Sequence, residues 1–151
     1  MLGAIEAVAE PGSTVTILGL SYKPNTPVVE ESQGISLAGA LVKAGFVVRV
    51  SDPAALDSDD ITLPKGVIPV AVVEDAIKDA DVIAVMTPWT AYHDLPALLD
   101  RTGSTPRAVV DPWRLVNAET ALPAGGRLVR PGVGDWRFFA PEEWTRRSDD
   151  A

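Results

Sequence analysis

The chain has 151 residues, 46% hydrophobic and 23% charged, with no cysteine and a formal net charge of −8. That length suits one domain with a proper core, and the lack of cysteine excludes disulfides, thiolate metal sites and a cysteine nucleophile. The acidic balance argues against nucleic acid or an anionic membrane as a partner, though not against one local phosphate site. The N-terminus lacks the basic segment and apolar core of a signal peptide, and the apolar runs are too short to span a bilayer, so the expected location is cytoplasmic.

Met1 to Gly12 reads as a short helical lead-in, with Leu2, Ile5 and Val8 on one side and Pro11-Gly12 closing it. Val15 to Leu20 is a short apolar, β-branched run, the signature of a strand covered on both faces. Pro24 and Pro27 make the next stretch a loop, since each removes a backbone donor and fixes φ. Ser32 is the expected N-cap of a helix carrying Ile35, Ala38, Leu41 and Val42 at helical spacing, and Gly45 is its stop. Gly34 and Gly39 lower helix propensity, so a close approach of that helix to a sheet is their expected return. Phe46 to Val50 is a second strand, completing a βαβ unit.

Asp52 follows that strand, where nucleotide folds often hold a ribose. The first turn lacks G-x-G-x-x-G, however, so Asp52 reads as a turn and cap residue. The acidic run 54–65 reads as solvated surface without calcium-loop spacing. Val67 to Val73 is a short strand or extended link, Glu74 to Ala80 a helix and Val82 to Met86 a strand. Trp89 and Tyr92 then either line a ligand edge or close the core. His93, the only histidine, has no partner at a recognisable spacing and reads as an ordinary residue, with no metal site expected. Leu95 to Leu99 is a helix ending near Gly103. Arg107 to Val110 is the last main strand, followed by Asp111-Pro112-Trp113-Arg114. A further short strand, Arg127 to Arg130, fits between Pro/Gly turns. The aromatic tail (Trp136, Phe138, Phe139 and Trp144) either packs back or meets a partner.

The alternation predicts a three-layer α/β/α, Rossmann-like domain with a mainly parallel five-stranded sheet. Right-handed crossovers place the loops after the first, fourth and fifth strands at one edge. Lys23, Trp89 and Arg114 are therefore expected to share it as a phosphate-binding candidate.

The run GLSYKPNTPVVEES, with Gly19, Leu20, Tyr22, Lys23, Pro24, Asn25, Thr26, Glu31 and Ser32 in register, resembles the start of the C-terminal, UDP-binding domain of UDP-glucose/GDP-mannose dehydrogenases. Thr87, Trp89, Tyr92 and Leu95 match a second segment. Three departures stand out: Pro27-Val28 replace an acidic pair, Glu30 replaces an arginine, and Trp113 stands where an arginine contacts UDP, with Arg114 one residue later. The resemblance implies a UDP-sugar-binding domain, residues 13–134, between a lead-in at 1–12 and a tail at 135–151. It also implies that Tyr22, Lys23, Trp89 and Arg114 serve substrate binding. The full enzymes oxidise a nucleotide-sugar in NAD-dependent steps, but their catalytic cysteine and cofactor fingerprint lie in other domains. No catalytic residue and no cofactor bound by this chain alone are expected, and Glu30 disfavours a pyrophosphate. The implied partners are a UDP-sugar and an upstream Rossmann domain or a second copy. The alternative is an interaction or dimerisation module that retains the fold without the ligand.

Overall fold

A computed structural model describes residues 1–117 and 122–131. The elements run α1 (Leu2–Glu6), β1 (Thr14–Leu18), α2 (Gln33–Lys43), β2 (Val47–Ser51), β3 (Val67–Pro69), α3 (Val73–Ile77), β4 (Val82–Val85), α4 (Leu95–Thr102), β5 (Ala108–Val110) and β6 (Arg127–Val129). Every pairing in the sheet is parallel, and the spatial order is β3-β2-β1-β4-β5-β6.

The sheet thus has six strands rather than the expected five. Arg127–Val129 is not an isolated extended stretch. It pairs with β5 through Ala108↔Arg127, Val109↔Leu128 and Val110↔Val129 and extends that edge. The aromatic tail falls outside the described residues.

Alternation along the central strands builds two apolar layers. Val15 and Ile17 of β1 join Val48, Val50, Val82 and Ala84 against Leu37, Ala38 and Leu41 of α2 and Ile5 of α1. Leu18, Ile83, Val85 and Val109 face the other way, against Ile77 of α3 and Leu95, Leu98 and Leu99 of α4. Each fully buried leucine or isoleucine contributes about 1.5–3 kcal/mol over its exposed state. Thr16, fully buried on β1, is tolerated because its hydroxyl donates to the Ala76 carbonyl at 2.6 Å.

Helix α2 begins as the sequence predicts. The Ser32 hydroxyl oxygen accepts from the Ile35 N–H at 3.1 Å, and the same hydroxyl donates to the Leu20 carbonyl at 2.5 Å. One side chain therefore caps the helix and pins it to the loop after β1.

Candidate functional site

In this strand order the chain leaves β1 toward β2 on one side, while β4 lies on the other. The carboxyl ends of β1 and β4 therefore form the topological switch point, the place where open α/β sheets take ligands. Residues 19–32 fill this edge. Gly19 has φ 101°, and a Cβ there would lie 2.5 Å from the Thr87 backbone nitrogen, so no side chain fits. The Thr87 hydroxyl donates to the Ser21 carbonyl at 2.7 Å, tying the loop after β4 to the loop after β1.

Asp52 organises the same edge. One carboxylate oxygen accepts the N–H groups of Leu20 (2.7 Å) and Ser21 (2.9 Å) and the indole N–H of Trp89 (3.2 Å). The other accepts the Ser21 hydroxyl (3.0 Å) and the N–H groups of Ala54 (2.9 Å) and Ala55 (2.8 Å). Each oxygen thus takes three donors, which fills a carboxylate's acceptor capacity. Burial pushes this carboxyl's pKa up, but backbone N–H donors, from Ser21, Ala55, Ala54 and Leu20, more than offset it and hold the pKa below the ordinary value. Asp52 is a knot between three loops, with no acceptor left over for a ribose.

Trp89 and Tyr92 belong to the core beneath this edge. Trp89 is buried with its N–H on Asp52, and Tyr92 is buried with its hydroxyl 3.3 Å from the Ser51 carbonyl. Burial, reinforced by the Asp52 charge, raises the Tyr92 phenol far above its usual range, so it remains a neutral donor.

Above the knot the chain projects outward. The Tyr22 N–H donates to the Val28 carbonyl at 2.8 Å, closing a loop whose tip is Lys23 to Pro27. Asn25 supplies the left-handed turn with φ 64°. Tyr22 is 68% exposed, and Lys23 is exposed as well. Beside this loop is an open cleft of about 500 Å3, lined among the described residues by Tyr22, Val28, Glu30 and Glu31.

The loop after β5 supplies the remaining groups. Asp111 is buried, and one of its oxygens accepts the Val116 N–H at 2.9 Å. The Arg130 guanidinium donates to the carbonyl of the same Val116. Between these anchors Arg114 turns the backbone with φ 58° and is exposed. Trp113 is not a core residue. It donates its indole N–H to the Met86 carbonyl at 3.1 Å and leaves 52% of its surface open.

The structure therefore brings the loops bearing Tyr22 and Lys23, Trp89, and Trp113 and Arg114 to one sheet edge. It sets Trp89 inside that edge and the other four outside it. The sequence alone also allows a core Trp113 beside a surface Arg114, and the structure instead leaves both exposed. The clue to its position was its place directly after Asp111-Pro112, in a turn rather than a strand. Among the described residues no group of three or more His, Cys, Asp or Glu is arranged to hold a metal, and no helix is long and apolar enough to cross a membrane.

A model of the UDP-binding domain of the UDP-glucose/GDP-mannose dehydrogenase family matches residues 16–118, more than half of the chain. The chain belongs to this family. The matched residues span the switch point and all three loops described above. The UDP-glucose 6-dehydrogenase YwqF of Bacillus subtilis is 29% identical over 114 residues, covering 76% of this chain and 26% of that protein. The putative UDP-glucose 6-dehydrogenase YtcA of the same organism is 31% identical over 123 residues, covering 82% and 28%. The chain thus spans about a quarter of the length of the curated relatives it matches. Among solved structures, a UDP-glucose dehydrogenase from Pyrobaculum islandicum aligns with TM-score 0.55 and 29% identity over 60% of this chain and 22% of its own. A ternary complex of GDP-mannose dehydrogenase from Pseudomonas aeruginosa aligns with TM-score 0.61 over 84% and 30%, and at 19% identity it shows the shared fold.

Proposed function

We propose that this chain is a UDP-sugar-binding domain of a nucleotide-sugar dehydrogenase, spanning residues 13–134, with 1–12 as its lead-in and 135–151 as its tail. Tyr22, Lys23 and Arg114 contact the ligand, and Trp89 supports them from below. The observation that carries this reading is the loop after β1. It is anchored at its base by Asp52 and Thr87, closed by the Tyr22–Val28 hydrogen bond, and it offers one cation, Lys23, at the switch point. A loop held this way presents a charge without having to order itself on binding, the condition for an efficient phosphate contact. Tyr22 supplies an aromatic face, and Glu30 and Glu31 supply acceptors of the kind that sugar hydroxyls use.

In this reading the domain binds substrate and leaves oxidation to other parts of a larger enzyme, where NAD is the oxidant. The partners are the UDP-sugar and either an upstream Rossmann domain or a second copy, in the cytoplasm. The chain supplied with NAD and UDP-glucose produces no NADH on its own, and sustained absorbance growth at 340 nm with pure protein would overturn that.

Calorimetric titration with UDP and UDP-glucose at low salt tests the binding itself. A charge-assisted phosphate contact contributes about 1.5–3 kcal/mol, so Lys23→Ala weakens UDP more than tenfold. An unchanged affinity removes Lys23 from the site. Glu30 and Glu31, which place negative charge beside the loop, favour a second reading as an interaction module without ligand. Absence of UDP binding by the wild type at millimolar concentration supports that reading.

A further inference from the structure

We infer that Trp113 is a stacking platform for the heterocyclic base of the bound nucleotide, and so a determinant of base affinity at this edge. The inference rests on the UDP-sugar reading above. Tyr22 and Trp113 are the large exposed aromatic hydrophobics among the described residues, and both stand on loops at the carboxyl edge of the sheet. They differ in how they are held. Trp113 has spent its only hydrogen-bond donor on Met86, the residue immediately past β4, whose own N–H donates to Leu18 at the end of β1 at 2.7 Å. The indole is thereby fastened to the switch point itself.

An indole fastened by its edge and open over half its surface is fixed in orientation yet uncovered. That arrangement suits a flat, neutral ring. Stacking needs a rigid π face and little else, and it does not depend on reading the hydrogen-bonding edge of the base. The backbone on both sides is held: before Trp113 the Asp111 N–H donates to the Val129 carbonyl at 2.8 Å, and after it Val116 is bonded at both its N–H and its carbonyl. The Asp111 carboxylate accepts the Val116 N–H, and the Arg130 guanidinium donates to the Val116 carbonyl, so the turn carrying Trp113 is braced from behind. Lys23 and Arg114, the exposed cations on the same edge, are the groups suited to the phosphates. Division of labour follows from chemistry: cations for the diphosphate, indole for the base.

The test is calorimetry of the full chain with UDP and with inorganic pyrophosphate, which lacks the base, for the wild type, Trp113→Ala and Trp113→Phe. Trp113→Ala is expected to weaken UDP by about tenfold and to leave pyrophosphate unchanged. Trp113→Phe loses the bond to Met86 but keeps an aromatic face, and is expected to stay within about threefold of the wild type for UDP. Wild-type UDP affinity in Trp113→Ala overturns the inference alone. So does a parallel loss of UDP and pyrophosphate, which would mark a merely structural role. A wild-type chain that binds no UDP removes the underlying reading and the inference with it.

Discussion

Asp52→Ala is expected to destabilise the chain by about 3 kcal/mol or more, a fall of roughly 10 °C in melting temperature for a domain of this size. The substitution strands several donors at once. The N–H groups of Leu20, Ser21 and Ala55 and the indole of Trp89 are satisfied by this carboxylate in buried surroundings, and each unsatisfied buried donor costs about 1–3 kcal/mol. Asp52→Asn is expected to be nearly as damaging. Its one oxygen can serve one set of three donors, but its NH2 group then confronts the other three. A ribose-binding aspartate at this position would behave differently, because its replacement by asparagine would cost ligand affinity and leave the fold intact. Thermal melts of both variants separate the two roles.

The same carboxylate sets an acid limit on stability. Its pKa is ordinarily near 3.8 and lies lower in the folded chain. Folding therefore favours the ionised form. The stability Asp52 supplies is complete above about pH 5 and is lost as the pH falls past the unfolded value and through the lower, folded one. Wild-type stability measured by denaturant melts between pH 5 and pH 2 should drop more steeply than that of Asp52→Asn, which has no carboxylate to protonate here. Equal slopes would show that other acidic groups carry the acid transition.

Much of the fold was legible because its signals are local. The β-branched run at Val15–Leu20, the cap at Ser32 and the glycine stop at Gly45 each need only their neighbours in the chain. The sixth strand was not, since Arg127–Val129 is three residues long and its place in the sheet is decided by pairing with Ala108–Val110, a contact no periodicity reveals. The site divides the same way. Two of the six bonds to Asp52, from Ala54 and Ala55, are visible as a turn signal in Asp-Pro-Ala-Ala. The other four reach back to residues 20 and 21 and forward to Trp89. Likewise the exposure of Trp113 depends on a hydrogen bond to a residue 27 positions away. Hydrophobicity alone predicts burial for such a side chain, and a loop that bonds its polar edge overrides that.

The helix glycines make the same distinction and supply the second large effect. Both lower helix propensity, and from sequence they look alike. In the structure a Cβ on Gly34 would lie 2.4 Å from the carbonyl oxygen of Gly19, whereas one on Gly39 would meet only the Pro64 ring, at 3.3 Å. Gly34→Ala therefore gains about 1 kcal/mol of helix propensity but drives a methyl into backbone. Neither side yields easily, because Gly19 is held through its N–H on the Ser51 carbonyl at 2.8 Å and the helix start is held by Ser32. The clash should win, giving a net loss of about 1–2 kcal/mol once the propensity gain is subtracted. Gly39→Ala faces a side chain that can shift by a few tenths of an ångström, so its propensity gain should leave stability unchanged or slightly raised. Equilibrium denaturation of the pair distinguishes these outcomes. A Gly34→Ala variant as stable as Gly39→Ala would mean that α2 stands farther from the switch point than this contact requires. The expected contrast would instead locate the close approach at the first turn of the helix, where Gly34 meets the Gly19 carbonyl.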